Sequence, residues 1–145
     1  MMARKTPARA APATAMQHGL LLESTLSGRP WANLEQIVVD GALPLFDPDR
    51  MRLAWETVAQ RHDALRMVLP PDGKGGIGQH VLEAPALVFV TQDLSGLDPD
   101  AQAKAVESFL ADDRLAGVDP AQSPGWRVSL LTLSPARVIM VWTIH

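Results

Sequence analysis

The sequence predicts a layered fold of mixed class, α/β or α+β, and three observations carry that expectation. The segment Arg137-Val-Ile-Met-Val-Trp-Thr-Ile-His145 is a nearly continuous apolar run, the pattern of a strand buried on both faces. Asp47-Pro48 and Asp98-Pro99 each precede a helical apolar pattern. An aspartate there accepts from free N–H groups, and a proline loses nothing at the first helical position. Strand-like and helix-like stretches follow one another without an internal repeat, an order that favours one layered core.

Composition is consistent with this. The chain has 145 residues, of which 47 % are apolar, enough for one ordinary globular domain. A net charge of −3 gives no electrostatic case for nucleic acid or an anionic membrane as partner. The chain has no cysteine, which excludes a disulfide framework and a thiolate metal site and fits a reducing, cytoplasmic setting. No apolar stretch is long enough to span a bilayer.

Residues 1–13 are basic and rich in alanine and proline, the composition of a disordered leader or linker. The domain is expected to run from residue 14 to residue 145. Thr14 is placed to cap a first helix that runs to Ser24, with Met16, Leu20 and Leu21 as its apolar stripe. Ser27-Gly28-Arg29-Pro30 breaks that helix. Glu35–Asp40 reads as a strand closed by Gly41. Asp47 starts the second helix, with Phe46 and Met51 in the two positions of a hydrophobic staple. Met51, Ala54, Trp55, Val58 and Ala59 follow helical spacing. Leu65–Leu69, Gly78–Leu82 and Leu87–Thr91 read as strands. The third helix starts at Asp98, buries Val106, Phe109 and Leu110, and ends at Gly117. Two strands, Trp126–Leu133 and Arg137–Ile144, close the chain as a hairpin.

Asp72-Gly-Lys-Gly-Gly-Ile-Gly78 has the composition of a phosphate-binding loop. A strand rather than a helix follows it, so the N–H groups that would meet a phosphate are missing. It reads as a hairpin loop. His18, His62, His80 and His145 lack the spacing of a metal site. In Arg61-His-Asp-Ala-Leu-Arg66, Arg66 interrupts an apolar segment. A buried guanidinium demands a carboxylate partner, and the sequence offers no obvious one. His145, a titratable group at a strand end, is the candidate catalytic residue.

Together these segments resemble the N-terminal half of a condensation domain of nonribosomal peptide synthesis, within the chloramphenicol-acetyltransferase-like acyltransferases. Thr14-Ala-Met-Gln17-His-Gly-Leu20 resembles the early Ser-x-x-Gln motif, with threonine in place of serine. Arg61-His62-Asp63-Ala64-Leu65-Arg66 is similar to Arg-His-x-x-Leu-Arg-Thr, with Met67 in the last place. His145 matches the first histidine of His-His-x-x-x-Asp-Gly. Asp93-Leu-Ser-Gly-Leu97 and the stretch from Gly117 to Arg127 add weaker support.

The resemblance implies a half-domain built as a two-layer sandwich, a mixed sheet with helices packed on one face. It implies acyl transfer from the phosphopantetheine thioester of a carrier protein to an amine or hydroxyl acceptor, making an amide or an ester. The partners implied are that carrier and the remaining C-terminal part of the domain, with no cofactor bound directly. Gln17, Arg61, His62 and Arg66 become structural motif residues. His145 becomes the orienting histidine beside a proton-transferring one that is absent from this sequence. Cut inside that motif, the chain alone is expected to be inactive. A noncatalytic docking module and a related ester-forming polyketide or lipid acyltransferase are the alternatives.

Overall fold

The computed structural model describes residues 7–29, 31–84 and 87–145. In chain order the elements are β1 (Pro7–Pro12), α1 (Ala15–Ser27), β2 (Glu35–Ala42), α2 (Pro48–Arg61), β3 (Met67–Val68), β4 (Gly78–Leu82), β5 (Phe89–Asp93), α3 (Pro99–Ala116), β6 (Trp126–Ser134) and β7 (Arg137–Ile144). A 3₁₀ turn over Asp63–Arg66 joins α2 to β3. The main sheet has the order β2-β7-β6-β5, and a smaller one has the order β1-β4-β3. Only the β5–β6 pair is parallel in the main sheet, so the sheet is mixed, as expected.

The helix starts are those the sequence predicts. Asp47 accepts from the N–H groups of Asp49 and Arg50, and Asp98 from that of Ala101. Thr14 and Gln17 form a reciprocal capping box at α1, which satisfies two orphan donors at once. Gly28 ends α1 with φ +62°, a left-handed conformation that costs glycine nothing. Phe46 and Met51 both pack on the α2 side of the core.

β6 and β7 are apolar on both parities, and this decides the layering. Trp126, Val128, Leu130 and Val138 face α2, where Met51, Trp55 and Ala59 meet them. Leu131, Leu133, Ile139 and Val141 face the other way, onto Val106, Phe109 and Leu110 of α3. The helices therefore cover both faces of the main sheet, which corrects the expectation of helices on one face. A central strand with two apolar faces has to be covered twice.

Other differences are local. Pro7–Pro12, expected within a disordered leader, form β1, paired antiparallel to β4. The pairing satisfies backbone groups that composition alone left to water. The remainder of that leader, residues 1–6, lies outside the described residues. The strand expected over Leu65–Leu69 is mostly turn, because Leu65 N–H bonds back to His62 O and Arg66 bonds to Asp63. β2 continues through Gly41 to Ala42, paired to Val138 and Arg137. β5 starts two residues later than expected, where its register with β6 places it. Val58 and Ala54 face solvent, so the buried stripe of α2 is Met51, Trp55 and Ala59. Met16 and Leu20 of α1 are exposed as well. The glycine segment is a loop closed by the Pro71–Ile77 bridge, with the Asp72 carboxylate accepting from the N–H groups of Lys74 and Gly76.

Candidate functional site

The main sheet delivers His145 to a cleft. β7 runs between β2 and β6, and the last residue of that run is fixed by a bond from its N–H to Gly125 O at 2.8 Å. The cleft has a volume of about 330 Å³ and is walled by Leu21 and Ser24 of α1, Ile77 after the glycine loop, and Val118 and Pro120 after α3. Leu69 N–H bonds to Pro120 O at 2.7 Å, which ties the β3 side of the cleft to the loop after α3. Apart from His145, Ser24, Thr25 and Asp119, the lining is apolar.

The His145 imidazole is half-buried, and desolvation pushes its pKa below the usual histidine value. Burial disfavours the charged ring, so the imidazole is neutral at neutral pH. Its Nε2 lies 3.1 Å from the Ser24 hydroxyl.

The strand that ends at His145 is gripped from the α3 side by a polar knot. Asp113 of α3 is buried, with its carboxylate accepting from three side chains. Arg127 Nε on β6 lies at 2.5 Å, Thr143 Oγ1 on β7 at 2.5 Å and Gln36 Nε2 on β2 at 2.7 Å. Arg127 also donates to the backbone oxygens of Asp113 and Gly117 at the end of α3. Desolvation alone would raise the pKa of Asp113. The hydrogen bonds from Arg127, Thr143 and Gln36 outweigh it and hold the carboxyl below its ordinary value. A buried carboxylate with several donors and a guanidinium beside it stays ionised. Gly117 immediately precedes the loop that walls the cleft, and Thr143 lies two residues before His145. One ion pair thus fixes two sides of the site.

The remaining sequence-predicted residues lie outside the cleft walls. Gln17 closes the α1 capping box and turns its amide toward Met67 Sδ at 3.5 Å. Arg61 is the exposed last residue of α2, and His62 caps that helix, donating its N–H to Val58 O. Arg66 does have a carboxylate partner, contrary to the sequence reading. It pairs with Asp63 one turn back and donates to Leu82 O at 2.6 Å. Asp63 also pairs with Arg9 at 2.9 Å. The partner is local, because the chain there is a turn, not a strand. Among the described residues, Arg66 Nε and Trp142 Nε1 are buried without a hydrogen-bond partner.

Ser24, Asp113, Arg127, Gln36 and Thr143 were not singled out from sequence. Asp113 carried a signal, since it continues the Val106, Phe109, Leu110 stripe of α3 at helical spacing. An acid on an apolar stripe has to find donors.

Comparison with known proteins fixes the family. The family model for the condensation domain matches residues 8–145. The chain belongs to the condensation-domain family. It is 24 % identical over 134 residues to bacitracin synthase 1 of Bacillus licheniformis, covering 92 % of this chain and 2 % of that protein. Phosphinothricin tripeptide synthetase PhsC of Streptomyces viridochromogenes is 30 % identical over 138 residues, covering 92 % of this chain and 12 % of that protein. The starter condensation domain of rhizomide synthetase RzmA shares the fold with a TM-score of 0.81 at 20 % identity, over 95 % of this chain and 34 % of that one. Tallysomycin biosynthesis protein TlmII gives a TM-score of 0.76 at 28 % identity, over 94 % and 33 %. The chain therefore spans a small part of its curated relatives and about a third of the solved chains. The match reaches back into β1, in accord with the strand found there. Among the described residues no helix is long and apolar enough to cross a membrane.

Proposed function

We propose that this condensation-domain chain contributes one wall and the first histidine of an acyl-transfer centre. The donor is an acyl group held as a thioester on the phosphopantetheine arm of a carrier protein, and the acceptor is an amine or a hydroxyl. In the transfer the acceptor's nitrogen or oxygen bonds to the thioester carbonyl carbon, the C–S bond breaks, the thiol leaves and the acceptor loses one proton. The observation that carries this reading is a neutral imidazole, His145, held at the end of a doubly covered strand in a largely apolar cleft. Such a cleft sheds water, which favours aminolysis over hydrolysis and strengthens each polar contact inside it. Holding two reactants in one channel removes much of the entropic cost of their meeting.

In this reading His145 orients rather than transfers protons, and the proton acceptor comes from sequence outside this chain, as does the second half of the channel. The test is turnover of a carrier-bound acyl thioester with a competent acceptor, by the whole protein that carries this chain and by residues 1–145 alone. The expected result is turnover by the whole protein, its loss in His145→Ala, and none from the isolated chain. Full activity of His145→Ala would overturn the role given to this residue, and turnover by residues 1–145 alone would overturn the division of the centre.

A further inference from the structure

The Ser24 hydroxyl has three partners and one proton. Its oxygen lies 3.1 Å from Leu20 O, 3.3 Å from Ala32 O and 3.1 Å from His145 Nε2. The two carbonyls are acceptors only, whereas the ring nitrogen is an acceptor or a donor according to its tautomer. If the hydroxyl proton pointed at Nε2, both carbonyl oxygens would face hydroxyl lone pairs at hydrogen-bond distance. If it points at a carbonyl, one of those repulsions becomes a bond, and the hydroxyl oxygen is left to accept from a protonated Nε2.

We infer that Ser24 is a positioning residue that holds His145 as the Nε2–H tautomer, leaving Nδ1 as the acceptor of the ring. The inference rests on the acyl-transfer reading for its use, though not for its geometry. The same hydroxyl reaches α1, through Leu20 O, and the turn after it, through Ala32 O, so the ring is referenced to two pieces of backbone. The main chain of His145 is fixed separately, by Gly125 O on the sheet side. With both anchors in place the ring plane and the identity of its basic nitrogen are set before any substrate arrives. Such a neutral ring has Nδ1 as its one acceptor, so beside that nitrogen a group that donates a hydrogen bond is favoured over one that only accepts.

The test is proton and nitrogen NMR of the histidine-labelled protein at a pH where His145 is neutral, with His145→Gln used to assign its signals. The expected wild-type result is an observable, exchange-protected Nε2 proton and a pyridine-type Nδ1. Ser24→Ala should lose that proton signal to fast exchange with water, and Ser24→Thr, which keeps the hydroxyl, should retain it. In a turnover assay of the whole protein, Ser24→Ala should lower kcat more than it changes KM. A proton on Nδ1 in the wild type would overturn the inference even if no variant folds, and so would a Ser24→Ala protein that keeps the protected Nε2 proton. A protected Nε2 proton in a protein that never transfers an acyl group would leave this inference standing and remove the acyl-transfer reading instead.

Discussion

The two faces of the main sheet are built from different materials. On the α2 face the contact is apolar and aromatic. Trp55 lies 5.4 Å from Trp126 and 5.3 Å from Trp142 between ring centroids, and Trp126 satisfies its indole N–H at Leu65 O. On the α3 face an apolar patch around Leu131, Ile139 and Val141 gives way, toward the end of β7, to the Asp113 knot. Dispersion and burial on the first face tolerate small slippage, since they are nonspecific in direction. The second face fixes distances, because a carboxylate with three donors accepts only one arrangement of α3, β2, β6 and β7. The directional face grips Thr143, two residues before His145. In this domain, bulk stability and placement of the site are separated across a single sheet.

The largest effect should come from breaking the knot. Asp113→Ala leaves the largely buried Arg127 guanidinium without its charge partner, at a cost of about 3 kcal/mol. Urea unfolding of the variant would measure it. Leu130→Ala on the α2 face should cost about 2–5 kcal/mol by cavity formation while leaving the end of β7 in place. The comparison fails if Asp113→Ala costs less than about 1 kcal/mol, the worth of an exposed pair.

A smaller effect is written in the pH dependence. Asp113 titrates below its ordinary value in the folded protein, so the unfolded chain takes up the proton first as pH falls. The stabilisation from the knot is complete above the ordinary carboxylate pKa of about 3.9 and drains away as pH falls through the folded value. His145 is also depressed. The unfolded histidine protonates first, so stability is full above about pH 6.5 and declines as pH falls toward the folded value. Denaturant midpoints across pH should therefore show two separate acid limbs. His145→Gln should flatten the upper one, and Asp113→Asn the lower.

The apolar face was legible in the sequence and the polar one was not. Met51, Trp55 and Ala59 repeat at helical spacing, and the apolar runs of β6 and β7 are visible within nine residues. Both signals are local. The knot joins Gln36, Asp113, Arg127 and Thr143, which are brought together only when β2, α3, β6 and β7 are assembled. Nothing in the neighbourhood of Gln36 or Thr143 announces a partner in a distant helix. Ser24 is a similar case, because its bond to His145 spans almost the full chain. The two-sided covering of the sheet is written in the apolar run of β7, whereas the family resemblance implies packing on one side. Arg66 misled for the opposite reason. Its partner, Asp63, was close by all along, hidden by reading a turn as a strand.

Hydrogen exchange at the His145 amide, which donates to Gly125 O, tests most directly whether the knot places the site. Thr143→Val and Trp142→Phe alter neighbouring positions of β7 on opposite faces. Removing one hydrogen bond to the Asp113 carboxylate should cost about 1.5 kcal/mol, so exchange in Thr143→Val should quicken by roughly tenfold. Trp142→Phe should leave the rate close to that of the unaltered protein. Exchange that quickens as much in Trp142→Phe as in Thr143→Val, or in neither, would contradict the assignment of placement to the α3 face.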